Sequence, residues 1–516
     1  MRGVVVLAFA LSHGVAVADE LAGPLPEASP QFPTKLDLPA IPKFEFAVYG
    51  GDVYDPTSLR VQGRDLLDKR VTVKGYVVWI YDCVKAIAQP GETPTQTQKR
   101  IDDDPTLCER AKFYLGSRSN TPPERALWVV DVPRPPYKLE KERLPKRELA
   151  KWPKVPKVAV GDFVQITGTF TMASPHSERN SDGLLVYSAF AKAKPQKPKL
   201  VVTEVKPAVA PKPTAIAPQS APDPKVRNAS FERLAAGNKA AGLKQFDTAV
   251  TEYKAAIDAW SGNHLAWYGL GGAHAQRGDW RAAADAFEHA LALSPKTAMY
   301  QMWTGIALYE AAVVQARIDQ AKQQARKPEE IKADLSRVDF EPARIHLDAA
   351  LALEPHLWRA HHYLGRIYRE RAAAKQAATH FTRAIEEDRN QQGPYIALAE
   401  LYRKWDYTEA ARDVALIGTR LIPSNDTKGL SDAYYVLAMA YDDVGDYDAA
   451  IEAFTQALTQ YRDNAKASFQ RGQAYFKVRK YAEARADLET FLKTTRPDLE
   501  FAKQQAAKML ADMKTK

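Results

Sequence analysis

The chain has 516 residues, 45% hydrophobic and 26% charged, which excludes a disordered chain and is too long for a single core. Its formal net charge of +9 suits a partner of opposite sign, whether nucleic acid, an anionic envelope polymer or an acidic protein, and does not choose among them. Most of the 34 prolines precede residue 225, so extended segments and linkers are expected in the first half.

At the N-terminus, Arg2 precedes a short apolar run from Val4 to Leu11, and Ala16-Val17-Ala18 then forms an A-x-A cleavage pattern before Asp19. Residues 1–18 read as a secretory signal peptide; the alternative is a buried helix behind a mis-assigned start. No later run is long and apolar enough to span a bilayer, and no cysteine stands at the cleavage point to take a lipid. The expected location is the periplasm or cell envelope. Residues 19–44, rich in proline and small residues, read as a flexible leader.

Residues 45–193 carry short apolar and β-branched runs: Val71–Tyr81, Phe113–Leu115, Leu127–Val132, Phe163–Phe170 and Leu184–Ala189. Composition and alternation make these strands. Five strands close more economically as a small barrel than as an open sheet, with Gly75 and Gly168 expected at bulges or bends. Val160-Gly161-Asp162-Phe163-Val164-Gln165-Ile166-Thr167-Gly168, the turn at Ser181-Asp182-Gly183, and Leu67–Gly75 resemble the strand pattern of OB-fold domains. The two cysteines, Cys83 and Cys108, lie in this domain. In an exported protein an even pair favours one disulfide, worth about 3 kcal/mol; two free thiols are the competing reading. No histidine or third cysteine stands at metal-ligand spacing. Residues 194–228, rich in Pro, Ala, Lys and Val, read as a semi-extended linker. That stretch and residues 138–157 hold much of the excess positive charge, for which a solvated tether is the plain explanation.

From residue 229 to 497 the chain repeats at 34 residues: Gly237, Gly271 and Gly305, then Ala249 and Ala283, Tyr253 and Phe287, Ala256 and Ala290. Trp267-Tyr268-Gly269-Leu270-Gly271-Gly272-Ala273-His274 and Tyr363-Leu364-Gly365-Arg366-Ile367-Tyr368 resemble the first-helix motif of the tetratricopeptide repeat, with His274 where tyrosine is usual. Pro295, Pro355 and Pro423 fit its closing proline. About seven helix pairs are expected, at 230–263, 264–297, 298–357, 358–391, 392–425, 431–464 and 465–498, followed by a capping helix at 498–516. About 26 extra residues in the third pair are expected to lengthen both of its helices into a protruding hairpin. The fold class is therefore multidomain: a small OB-like β-barrel followed by an all-α superhelix.

The resemblance implies a groove lined by the first helix of each pair that receives a peptide. The helical period points Arg359, His362, Arg366 and Arg369 into it, with Arg403 and Lys404 adjacent, so an acidic segment or chain terminus is the natural ligand. A solvated basic helix face is the alternative. Tyr268, Met299, Met302, Tyr309, Tyr435, Met439 and Phe469 would add an apolar lining, although core packing accounts for some of them. The family's carboxylate-clamp pattern is not reproduced; only Asn238 lies at a suitable place. There is no nucleophile elbow, phosphate-binding loop or zinc-protease motif, so neither an enzyme nor a cofactor is expected. His361-His362, His346 and the run Asp102-Asp103-Asp104 make no trusted metal site. The reading from another class is nucleic-acid binding on the barrel by Trp79, Tyr81, Tyr114, Trp128 and Tyr187 with Lys74, Lys112 and Arg118; the signal peptide argues against it.

Overall fold

The structure, a computed structural model, describes residues 37–513 apart from 45, 51–52, 63–65, 90, 177, 197, 202–222, 329–330, 332, 422–425 and 495–498. The signal peptide, most of the leader and the middle of the linker lie outside the described residues. The chain forms two compact units whose main stretches are Lys43–Thr203 and Glu204–Ala507.

The first unit holds strands β1 (Phe46–Val48), β2 (Val53–Tyr54), β3 (Lys69–Ile80), β4 (Phe113–Gly116), β5 (Leu127–Val130), β6 (Phe163–Ala173), β7 (Arg179–Lys192) and β8 (Lys199–Val201). Five of them close a ring in the order β3–β4–β5–β7–β6–β3, in which β5 and β7 run parallel and the other neighbours antiparallel. This closed barrel is consistent with the OB-like domain read from the sequence. Alternation places Val71, Val73 and Val77 of β3 inside with Phe113, Leu115, Leu127, Val129, Ile166 and Phe170, while Thr72, Lys74 and Tyr76 are only partly covered. This is the period of two that a half-buried strand requires. Gly168 sits at a register shift against β7, where a Cβ would strike the Val186 carbonyl. Gly75 serves a different purpose: a Cβ there would lie 2.6 Å from Pro56 Cγ, at the start of α1 (Pro56–Gln62).

Between β3 and β4 lie α2 (Cys83–Ile87) and α3 (Pro94–Asp103), the latter opened by a Thr93/Gln96 capping box with Pro94 just inside it. A Cys83–Cys108 disulfide with a Cα–Cα distance of 5.5 Å closes this loop. Between β5 and β6 lie α4 (Lys138–Arg143) and α5 (Lys146–Leu149). Part of the stretch read as linker is ordered: β8 pairs with β1.

The second unit is helical: α6 (Pro224–Gly242), α7 (Phe246–Ala259), α8 (His264–Gln276), α9 (Trp280–Leu293), α10 (Ala298–Gln323), α11 (Glu341–Leu353), α12 (Trp358–Glu370), α13 (Ala374–Glu387), α14 (Gln392–Lys404), α15 (Thr408–Leu421), α16 (Thr427–Val444), α17 (Tyr447–Gln460), α18 (Ala465–Lys477), α19 (Tyr481–Leu492) and α20 (Glu500–Met513). Helix α6 begins within the stretch read as linker because Asp223 caps it, accepting from the Lys225 N–H, with Pro224 as first residue.

Helices α6 to α19 pack as consecutive pairs. Within a pair, a first-helix glycine faces a bulky residue sixteen positions on: Gly237 and Tyr253, Gly271 and Phe287, Gly365 and Phe381, Gly472 and Leu488. A Cβ at Gly365 would lie 2.5 Å from the Phe381 ring, so small-into-large packing sets how closely the helices approach. In the third pair the partner of Gly305 is Leu347, which places the 26 additional residues between them.

The protruding helical hairpin expected there does not form. Helix α10 runs for 26 residues, about 39 Å at the helical rise, but among the described residues of the return to α11 there is no α-helix. The Gln320 side chain donates to the Asp334 carbonyl and accepts from the Asp334 N–H, each at 2.7 Å, and the Asp334 side chain takes the Ser336 N–H. Side chains thus capture backbone groups that a second helix would have used. Phe340, 1% exposed, stacks on Tyr309 at the foot of this return.

Candidate interaction groove

First helices of neighbouring pairs touch one another: α10 meets α12, α12 meets α14, α14 meets α16 and α16 meets α18; the second helices do not approach one another to that extent. The first helices therefore form an inner row, and the residues read as groove-lining sit on it.

Arg366, Arg369 and Arg403 of that row are engaged with carboxylates. Arg366 Nη1 donates to Glu310 Oε1 at 2.9 Å, and the Tyr363 hydroxyl donates to the same oxygen at 3.0 Å. The Arg366 guanidinium lies 4.5 Å from the Tyr309 ring centre and 4.8 Å from that of Tyr363. Glu310 is 2% exposed. Burial works against the charge on Arg366, but Tyr309 and Glu310 outweigh it and raise its pKa, while burial followed by Glu310 raises that of Tyr363. This is a desolvated ion pair between helices of successive repeats. Arg403 donates to Asp443 at 2.6 Å. Arg369 bonds Glu370 at 3.2 Å and lies 3.6 Å from Glu400, which is half exposed. Arg359 packs over the Trp358 and Trp303 rings, 4.5 and 5.8 Å from their centres. His362 stands edge-on to Tyr363 and against Phe381. Tyr435 contacts Phe454, and burial pushes its hydroxyl up to about 12.

The apolar lining divides. Tyr268, Met302, Tyr309 and Phe469 are buried between helices and belong to the core; Met299, Tyr435 and Met439 stay half-exposed. The physical reason is the close approach set by the small residues, which leaves only part of each first-helix stripe on the surface. Asn238 accepts the Tyr253 hydroxyl proton at 2.8 Å. Sequence reasoning missed Glu310, Trp303 and Tyr363. Glu310 lies 56 positions from Arg366, beyond any local pairing rule, although its place one turn after Gly305 on the same helix was a usable signal.

Two further features were not read from the sequence. Asn263 caps α8 and donates to Ser230 Oγ at 2.9 Å, and Asn464 caps α18 and donates to Ser431 Oγ at 3.0 Å. These polar stitches join the first pair to the second and the sixth to the seventh. In the fourth pair, His361 Nδ1 meets His380 Nδ1 at 3.0 Å while His361 Nε2 faces the Pro355 carbonyl at 3.1 Å. Burial, then His361, lowers the His380 pKa to about 4.

On the barrel, Trp79, Tyr114 and Trp128 lie in one row across β3, β4 and β5. Their ring centres are 4.5 and 5.3 Å apart, the second pair within 5° of parallel. Facing rings cover the surfaces on which a nucleobase would stack. Tyr187 packs against the barrel core, and Lys112 is held by Glu109 and Glu178 at 2.7 and 2.9 Å. Among the described residues, no group of three or more His, Cys, Asp or Glu is placed to hold a metal, and no helix is long and apolar enough to cross a membrane.

A tetratricopeptide repeat family model matches residues 234–296, 273–321 and 435–498. Comparison with curated proteins gives no match. Among solved structures, the chain is similar to a tetratricopeptide repeat protein from Parabacteroides merdae ATCC 43184, with 14% identity, 56% of this chain and 99% of that one covered, and a TM-score of 0.37. It is also similar to pilF of Pseudomonas aeruginosa, with 17% identity, 48% and 99% covered and a TM-score of 0.36, and to MamA, with 22% identity, 37% and 96% covered and a TM-score of 0.28. None of these scores reaches 0.5, so the assignment rests on the matched repeats and on the helix pairs themselves. Residues 234–321 and 435–498 of this chain are tetratricopeptide repeats, and the helix pairs between them carry the same glycine-to-aromatic packing at Gly365 and Phe381.

Proposed function

We propose that this chain is an exported, non-enzymatic scaffold of the periplasm or cell envelope that holds a partner protein or peptide along the inner row of its repeats. The observation carrying this reading is the continuous row of first helices from α10 to α18, which keeps Met299, Tyr435 and Met439 partly exposed on the same row that carries Arg369 and Arg403. Aromatic and methionine anchors next to arginines suit a peptide with apolar and acidic side chains. The acidic contact falls to Arg369: Arg366 and Arg403 are committed to Glu310 and Asp443, whereas the Glu400 that faces Arg369 is half exposed and can be displaced by an incoming carboxylate. The Cys83–Cys108 disulfide supports an oxidising compartment.

The test places a photo-crosslinking residue at Tyr435 or Arg369 in the full chain, with Thr379 on α13 as the outer control, in cells of the source organism. A partner captured from the two inner positions, absent from Thr379 and lost with Arg359→Glu/Arg369→Glu, supports the reading. The same products from all three positions would remove it. Recovery of the protein from the soluble envelope fraction with Asp19 as first residue tests the location separately.

A further inference from the structure

Arg366 and Arg403 of the array are paired, yet a cluster of positive charge elsewhere in the chain is unpaired. Between β5 and β6, Lys138, Lys141 and Arg143 on α4, Lys146 and Arg147 on α5, and Lys151 just beyond are all exposed. Lys154 and Lys157 continue the series, also exposed. Among the described residues, none of these eight forms an ion pair. Three acids share the stretch; Glu140 is taken by Arg134, leaving only Glu142 and Glu148 to offset eight cations.

A solvated tether would need no anchor, and this segment has one at each end. Arg134 grips Glu140 with both Nη atoms at 2.6 and 2.7 Å, and its guanidinium lies 3.8 Å from the Tyr137 ring centre and 5.6 Å from that of Trp152. Trp152 returns its indole N–H to the Arg134 carbonyl at 2.6 Å, and the Tyr137 N–H donates to Glu140 at 2.7 Å. The knot ties residue 134 to residue 152 and holds the cationic turns between them as one arm on the barrel. Paired, partly covered groups form its base; exposed, unpaired charges form its surface.

We propose that this arm docks the barrel onto an anionic phospholipid surface. Charge complementarity supplies the attraction, each Lys or Arg near such a surface adding about fivefold to partitioning. Two observations favour lipid over nucleic acid: the disulfide fits the exported location proposed above, on which this choice rests and where nucleic acid is scarce, and the barrel aromatics that could stack bases stack on one another. The proposal does not depend on what the groove of the array holds.

The experiment is co-sedimentation of the full chain with phosphatidylglycerol/phosphatidylcholine vesicles and with pure phosphatidylcholine vesicles, beside a fluorescence-anisotropy titration of a single-stranded DNA oligonucleotide. The comparison protein is Lys138→Gln/Lys141→Gln/Lys146→Gln/Arg147→Gln, with its circular dichroism melt matched to wild type. Binding to the phosphatidylglycerol vesicles alone, weakened at least about tenfold in the variant and by added salt, is the expected result. Equal binding to both vesicle types, equal binding by both proteins, or no vesicle binding overturns it. Tighter binding to the oligonucleotide than to vesicles, lost in the variant, overturns it in favour of nucleic acid.

Discussion

Arg366 in the array and Lys141 on the barrel arm each carry one positive charge, and the charge means different things in the two places. Arg366 lies between two tyrosine rings with its carboxylate partner buried beside it; Lys141 is exposed and unpaired among seven like neighbours. A count of charges treats them alike. Burial and pairing separate a cation that holds repeats together from one that is free to attract a surface.

The sharpest way to break this contrast is Glu310→Ala, which leaves Arg366 desolvated without its carboxylate. It should cost about 3–5 kcal/mol, read as a lower urea midpoint of the helical signal; an unchanged midpoint would make Arg366 as solvated as Lys141. Replacing both partners, Glu310→Met with Arg366→Met, should cost much less. Next in size, removing the disulfide with Cys83→Ser/Cys108→Ser should cost the barrel about 3 kcal/mol, with faster hydrogen exchange in β3 and β4 and none in α10 to α13. If both units responded together, the two regions would not be separate bodies.

Acid should distinguish them as well. His380 binds its proton near pH 4 in the folded array and near 6.5 when unfolded. Between those values the unfolded chain holds more protons, so its contribution to stability is complete above pH 6.5 and falls as the pH drops towards 4, by at most about 3 kcal/mol. The array should lose thermal stability over that window, and His380→Phe should flatten the dependence; an unchanged slope would mean that the imidazole is solvated. The smallest expected effect is Lys141→Gln, within about 0.5 kcal/mol of wild type in any unfolding measurement. A larger loss would show that the arm lysines, too, are structural.

What could be read in advance follows the range of the interaction. The glycine-to-aromatic spacing of sixteen residues is local, so the helix pairs were legible from Gly237, Gly271 and Gly365. Strand alternation is local too, and Val71, Val73 and Val77 announced the inner face of β3. The extra residues of the third pair were counted correctly, but their shape was not legible, because one side chain, Gln320, captures backbone fourteen positions away. Strand β8 was hidden in a Pro/Lys-rich stretch because it exists by pairing with β1, about 150 residues earlier. In the groove, helical projection named the arginines but not their partners: Glu310 and Asp443 come from neighbouring repeats, and the folded stack alone brings them within reach.

The Arg369–Glu400 contact has a mechanical consequence. The first and second pairs are stitched by Asn263 and Ser230, the third and fourth by Glu310 and Arg366, the fifth and sixth by Arg403 and Asp443, and the sixth and seventh by Asn464 and Ser431. Between the fourth and fifth pairs the tie along the inner row is this looser one, at 3.6 Å with Glu400 half exposed, alongside the bond from the Tyr395 hydroxyl to the Arg389 carbonyl at 3.1 Å. An exposed ion pair is the tie that salt screens most, so we predict that the array bends between α12 and α14 more readily in high salt. The repeats would then behave as two stiff segments joined by a compliant hinge, able to adjust their curvature to cargo of different girth; salt-independent small-angle scattering from the array would rule the hinge out.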